Sequence, residues 1–158
     1  MKRWAVAAGL VLAVGCAPTA AAEPAPQPGA TCGPELSGVM TQLPDGTTFL
    51  VCQGVWAPVT PPFNPSDRWL SYGPALALHG QGRRNPEVTA GQWVGTPRDG
   101  GSCVASQEPV TDAGPGAAVL STGQPGAALD VEVPVAFAVT LSGDCLWQRS
   151  SSIDDEAG

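Results

Sequence analysis

Residues 129–147 alternate apolar and polar side chains over the longest stretch of the chain. Leu129, Val131, Val133, Val135, Phe137, Val139, Leu141, Cys145 and Trp147 share one parity, and Asp130, Glu132, Thr140, Ser142 and Asp144 share the other. Successive strand side chains point to opposite faces, so a period of two with a polar second face predicts half-buried β-strand. At about 3.3 Å per residue such a run would reach about 60 Å, too long for one small domain. It is therefore expected to bend, at Pro134 and at Gly143.

The rest of the chain agrees. Gly and Pro, 20 and 17 of 158 residues, recur every few positions, and no window carries a capped stripe of 3.6-residue period. Residues 47–51, 55–59, 88–96, 102–110 and 119–121 read as strands, rich in β-branched and aromatic side chains. Residues 69–72 and 75–78 are apolar, with Pro74 between them, and 80–86 form a loop. Leu43-Pro44-Asp45-Gly46-Thr47 is a turn, because Pro presets φ and Gly accepts positive φ. The expected fold is all-β, a small sandwich or flattened barrel of about seven or eight short strands.

Lys2 and Arg3 precede an apolar run over residues 4–14, which closes with Ala13-Val14-Gly15-Cys16. This is the pattern of an export signal over residues 1–15. Gly15-Cys16 reads as a lipobox, with cleavage before Cys16 and a lipid on its sulfur. A rival A-x-A-type cut at Ala20-Ala21-Ala22 would release a soluble, secreted protein, and an uncleaved anchor is the third option. Residues 16–30 are Pro/Ala-rich and read as a tether, spanning about 40 Å at roughly 3.1 Å per residue. A β-domain over 31–149 follows, and 150–158 form an acidic tail expected to be disordered. The expected location is the outer face of the cell membrane.

With Cys16 lipidated or removed, Cys32, Cys52, Cys103 and Cys145 remain, an even count in an oxidising compartment. Three connectivities are open. Cys32–Cys52 with Cys103–Cys145 is favoured, since each pair encloses one strand-rich half and neither crosses the other. Closely spaced metal ligands are missing: no C-x-x-C occurs, and there is one His. Neither a metal nor any other cofactor is expected.

Removing Lys2 and Arg3 leaves five arginines against fourteen acidic residues, a net charge of −9. Nucleic acid and anionic membrane surfaces repel such a domain, so nucleic acid is excluded as a general partner. Membrane contact is expected through the lipid, and the other expected partners are an envelope protein, a lipid or a glycan. The lipobox, the Pro/Ala tether and the Cys-bearing Val-rich domain, with Gly91-Gln92-Trp93-Val94, Cys103 and Gly143-Asp144-Cys145-Leu146-Trp147, resemble small exported lipoproteins of actinobacteria, mycobacteria above all. The resemblance implies a Cys-linked β module and an envelope location, and no activity.

Four site candidates follow. His79-Gly80-Gln81-Gly82-Arg83-Arg84-Asn85 holds the one His and the one Arg pair. Two guanidiniums on a Gly-flexible loop can clamp a phosphate or carboxylate, against the simpler reading of a solvated turn. A hydrolase triad would draw on Ser66, Ser71, Ser102 or Ser106, with His79 as base and Asp67 or Asp99 behind it. No G-x-S-x-G elbow supports that reading. Trp56 and Trp69 flank the Pro-rich loop and are the aromatic ligand candidates, for a glycan or a lipid, while Trp147 reads as core. Asp130 and Glu132, on one strand face, read as solubilising acids. The expected role is non-enzymatic binding or interaction, with a lipid or glycan carrier and a secreted hydrolase using His79 as the alternatives.

Overall fold

The computed structural model describes residues 24–150. The expected leader (1–15), the lipidation candidate Cys16, the start of the expected tether and the expected tail from residue 151 lie outside the described residues. Ten strands form one open sheet: β1 Met40–Gln42, β2 Phe49–Cys52, β3 Trp56–Val59, β4 Arg68–His79, β5 Gly91–Pro97, β6 Val104–Thr111, β7 Gly114–Pro115, β8 Val119–Thr122, β9 Leu129–Val133 and β10 Ala136–Arg149. A 3-10 turn at Pro34–Leu36 is the one helical element among the described residues.

The sheet branches at β10. From Ala138 to Gln148, β10 runs antiparallel to β4. On its other side it pairs with β6 from Ala136 to Ser142 and with β5 from Cys145 to Arg149. Gly143 stands at this handover with φ +90°, and a Cβ there would collide with the Ser102 carbonyl. The expected bend at Gly143 is therefore the point where two strands share one edge of a third. The Cys103–Cys145 disulfide crosses the same point, and Cys32–Cys52 closes the other half, the favoured connectivity.

The expected bend at Pro134 separates β9 from β10, and there the parity slips. Val135 is 51 % exposed and Ala136 is buried in its stead. A bulge then places Phe137 opposite no residue of β6, since Ala136 pairs with Pro109 and Ala138 with Glu108. The two shifts cancel, and Val139, Leu141, Cys145 and Trp147 return to the interior. Residues 69–78 form one strand instead of two apolar runs. The ladder steps from Leu141–Leu76 to Gly143–Gly73, so Pro74 falls in a bulge on β4 and owes the ladder no N–H.

Trp69, Trp93 and Trp147 fill the main core together with Leu76, Leu78, Val139 and Leu141. Each indole N–H is satisfied: Trp69 donates to the Ser66 carbonyl, Trp93 to the Thr89 carbonyl and Trp147 to the Ser71 hydroxyl. A second cluster of Leu36, Val39, Leu50, Cys52, Trp56 and Leu70 packs on the opposite face of β1, β2 and β4. Part of the expected tether belongs to this cluster's cover. Pro26 is buried, the Gly29 N–H donates to the Trp56 carbonyl, and the Trp56 N–H donates to the Ala30 carbonyl. The packed domain therefore begins before residue 31.

Candidate functional site

A cleft of about 370 Å³ opens where β4 ends. One wall is the β1–β2 hairpin with Gln42, Gly46, Thr47 and Phe49; another is Pro61, Pro62 and Phe63; the third is Ala77, His79, Arg84, Asn85 and Glu87.

The hairpin wall is fixed from within. Asp45 Oδ1 accepts from the Thr47 and Thr48 N–H groups, both at 2.8 Å, and Oδ2 accepts from the Thr48 hydroxyl at 2.6 Å. These donors favour the ionised form and lower the Asp45 pKa from 3.8 to about 2. Gln42 is buried and ties the hairpin to β4. Its Nε2 donates to the Gly46 and Ala77 carbonyls, and its Oε1 accepts the Ala77 N–H. The Tyr72 hydroxyl donates to the Gln42 carbonyl at 3.3 Å. Burial, then the charge of Asp45, raises the Tyr72 pKa.

The apolar wall is an aromatic group. Phe49 and Phe63 meet edge to face at 5.1 Å, and Trp69 lies behind them at 6.1 Å from Phe49 and 6.4 Å from Phe63. Such tilted arrangements place the positive ring edge against the negative face.

The polar wall comes from the expected loop. Glu87 Oε2 accepts the His79 backbone N–H at 2.7 Å, and the Glu87 N–H donates to the His79 carbonyl at 2.9 Å. Glu87 Oε1 also faces His79 Nδ1 at 3.8 Å. On the other side of the ring, Arg83 Nη1 lies 3.1 Å from Nε2. A guanidinium only donates, so Nε2 is the acceptor and the ring proton sits on Nδ1, toward Glu87. Nε2 of His79 is thereby engaged, while Nδ1 faces Glu87 beyond hydrogen-bond distance.

Arg84 differs from the other four arginines. Arg68 donates to the Ser37 and Glu35 carbonyls, Arg83 to His79, Arg98 to Asp144, and Arg149 to the Ala90 carbonyl beside Asp67. Arg84 makes no hydrogen bond or ion pair among the described residues, and its exposed side chain lines the cleft. Asn85, next to it, adopts φ +52°, a left-handed turn residue that short polar side chains tolerate.

Of the residues proposed from sequence, His79, Arg83 and Arg84 therefore gather at one place, with separate tasks: Arg83 orients the imidazole and Arg84 faces the opening. Trp56 and Trp69 are corrected. At 3 % and 0 % exposure, neither presents a face for stacking. A domain rich in Ala and Val needs their bulk inside. The triad candidates are dispersed. Ser71 is buried and donates to the Cys145 carbonyl, Ser66 donates to the Arg68 carbonyl, Asp67 faces Arg149, and Asp99 accepts the Gly101 N–H. Gln42, Phe49, Phe63 and Glu87 were not read from the sequence as site residues, whereas Asn85 closed the expected loop candidate. The Leu43-Pro44-Asp45-Gly46-Thr47 turn was the one local signal for the hairpin wall.

No family model, curated protein or solved structure shows a significant match to this chain.

Proposed function

We propose that this chain is an exported binding protein, held at the outer face of the cell membrane by a lipid on Cys16, whose β-domain captures a small ligand without transforming it. The observation that carries this reading is Arg84: an unpartnered guanidinium among the described residues, set at the mouth of a cleft with an aromatic wall. A concave, partly apolar site with a few converging polar groups is the usual form of a small-molecule site. The Arg83 contact to His79 Nε2 favours binding over hydrolysis, because a base needs a free nitrogen for its substrate. Two disulfides suit a domain that must hold its shape outside the cytoplasm. A lipid or glycan carrier is the neighbouring reading. With three tryptophans filling the main core, its cargo would use the same open cleft.

Native mass spectrometry of the protein taken from its own envelope tests both halves of the proposal. A diacylglyceryl mass on Cys16 and a ligand that dissociates on denaturation are expected. Ala77→Trp, which fills the cleft from an exposed strand position, should remove the ligand and leave the lipid. A mature chain that starts at Glu23, or a bound ligand indifferent to Ala77→Trp, overturns the corresponding half.

A further inference from the structure

Resting on the cleft reading above, we infer that the ligand is a carboxylate carried on a flat aromatic ring, the carboxylate meeting Arg84 and the ring lying against Phe63 and Pro62. Three observations select this chemistry.

The first is charge. Arg84 is the one arginine of the described residues without a partner, in a domain of strong negative charge. Its planar fork matches a carboxylate in bidentate fashion.

The second is the limit on that charge. Arg83 is occupied by His79, and Glu87, also in the cleft lining, adds an acidic side chain and no cation. Asp45 lies in the hairpin turn, with its oxygens on the turn's own donors. One free guanidinium beside a buried carboxylate accepts a monoanion and disfavours a dianionic phosphate, which two or more cations would have to neutralise.

The third is shape. A cleft of about 370 Å³ is at the small end for ligand sites. Its apolar side is made of Phe49, Phe63, Pro61 and Pro62, and Phe63 is only partly buried. Flat rings stack or meet edge-on with such a surface, and a flexible alkyl chain gains no directional contact there. The Gln42 amide hydrogen-bonds to the Gly46 and Ala77 backbone. Specificity at the polar end then falls to Arg84, with Asn85 beside it.

Two sources share this chemistry: a free aromatic acid, and the C-terminal Phe of a peptide. Calorimetric titration of the full, disulfide-intact protein separates them. The probes are 2-naphthoate, its uncharged counterpart naphthalene-2-methanol, and the tripeptide Ala-Ala-Phe with a free or amidated C-terminus. Against the wild type, 2-naphthoate should bind roughly tenfold or more tighter than the alcohol, the scale of a charge-assisted hydrogen bond. Arg84→Gln, on an exposed loop, should lower naphthoate binding to the level of the alcohol, while Phe63→Ala should weaken both. Binding of the free-acid tripeptide, lost on amidation, assigns the peptide source, and naphthoate binding without it assigns the free acid. Equal binding of naphthoate and the alcohol, unmoved by Arg84→Gln, overturns the carboxylate assignment while the cleft still binds. Failure of every probe overturns the aromatic-carboxylate class, and the cleft itself is then judged by the ligand retained from the envelope and its response to Ala77→Trp.

Discussion

The side-chain amide of Gln42 pairs with both backbone groups of Ala77, accepting its N–H at 3.0 Å and donating to its carbonyl at 3.3 Å. Strand β1 and strand β4 share only one backbone register, Met40 with Trp69. Beyond it, β4 bulges at Pro74 and the two backbones part. A glutamine side chain then substitutes for the missing strand.

Removing that amide should be costly. Gln42→Leu keeps the volume but leaves the Ala77 N–H and carbonyl without their partner. The expected loss is about 0.5–1.5 kcal/mol, the net worth of a typical intramolecular hydrogen bond, because Ala77 lies at an exposed position that water can reach. Denaturant unfolding monitored by tryptophan fluorescence measures it. A midpoint equal to the wild type would remove Gln42 from the account of how the hairpin is held.

Asp45 gives the hairpin a pH dependence of known sign. Its folded-state pKa lies at about 2, below the ordinary 3.8. A depressed carboxylate pKa contributes stability above the unfolded value and loses it as the pH falls through the folded one. The hairpin should therefore loosen between pH 3.8 and about 2. Amide exchange at Thr47 and Thr48, followed by NMR, should quicken over that window in the wild type. Asp45→Ala should exchange fast at every pH; an unchanged profile in that variant would refute the assignment.

Gly95 pairs with Trp147 across the β5–β10 ladder, and a Cβ at Gly95 would lie 2.6–2.9 Å from the indole ring. Gly95→Ala should therefore destabilise by about 1–3 kcal/mol through overpacking. Trp147→Phe in the same background should recover part of that loss, because the two changes share one contact. Thermal unfolding of the four members of this cycle supplies the coupling, and strict additivity would show that the ring does not set the requirement for glycine.

The two disulfides differ in reach, with sequence separations of 20 for Cys32–Cys52 and 42 for Cys103–Cys145. On loop-closure entropy each should contribute about 3–4 kcal/mol, the longer loop slightly more. Paired serine variants tested one bridge at a time should give that order of unfolding midpoints. The single variant Cys145→Ser should leave a thiol at Cys103 that reacts only after denaturation, since Cys103 is buried. Labelling at Cys32 or Cys52 instead would contradict the connectivity.

The fold was legible in the sequence where the signal is local. Alternation over 129–147 depends only on which side of a strand each residue faces, and the bends at Pro134 and Gly143 follow from length and residue type. The slip at Val135 was not legible, because a bulge at Phe137 depends on where β6 happens to end. The site was half legible. His79 ends β4, and Arg83 and Arg84 lie on the loop that follows, close in sequence. Gln42, Phe49 and Phe63 reach the cleft from segments that only the tertiary fold brings near, and Gln42 bonds a residue 35 positions away. Trp56 and Trp69 drew attention by flanking a Pro-rich loop, yet flanking a loop says nothing about which face of the strand a ring occupies.

The branching of the sheet at β10 also sets the order in which the domain can assemble. β10 meets β4, β5 and β6, each of them earlier in the chain. Until it docks, β4 lacks its long antiparallel neighbour, β5 and β6 are not joined into one surface, and Cys103 has no Cys145 to bond. The segment up to β4 holds its own small cluster and the Cys32–Cys52 bridge, whereas the main core draws on β4, β5, β9 and β10 together and closes only when β10 docks. Completion of the main core is thus deferred to the arrival of the tenth strand, through contacts distant in sequence, the kind that slows folding.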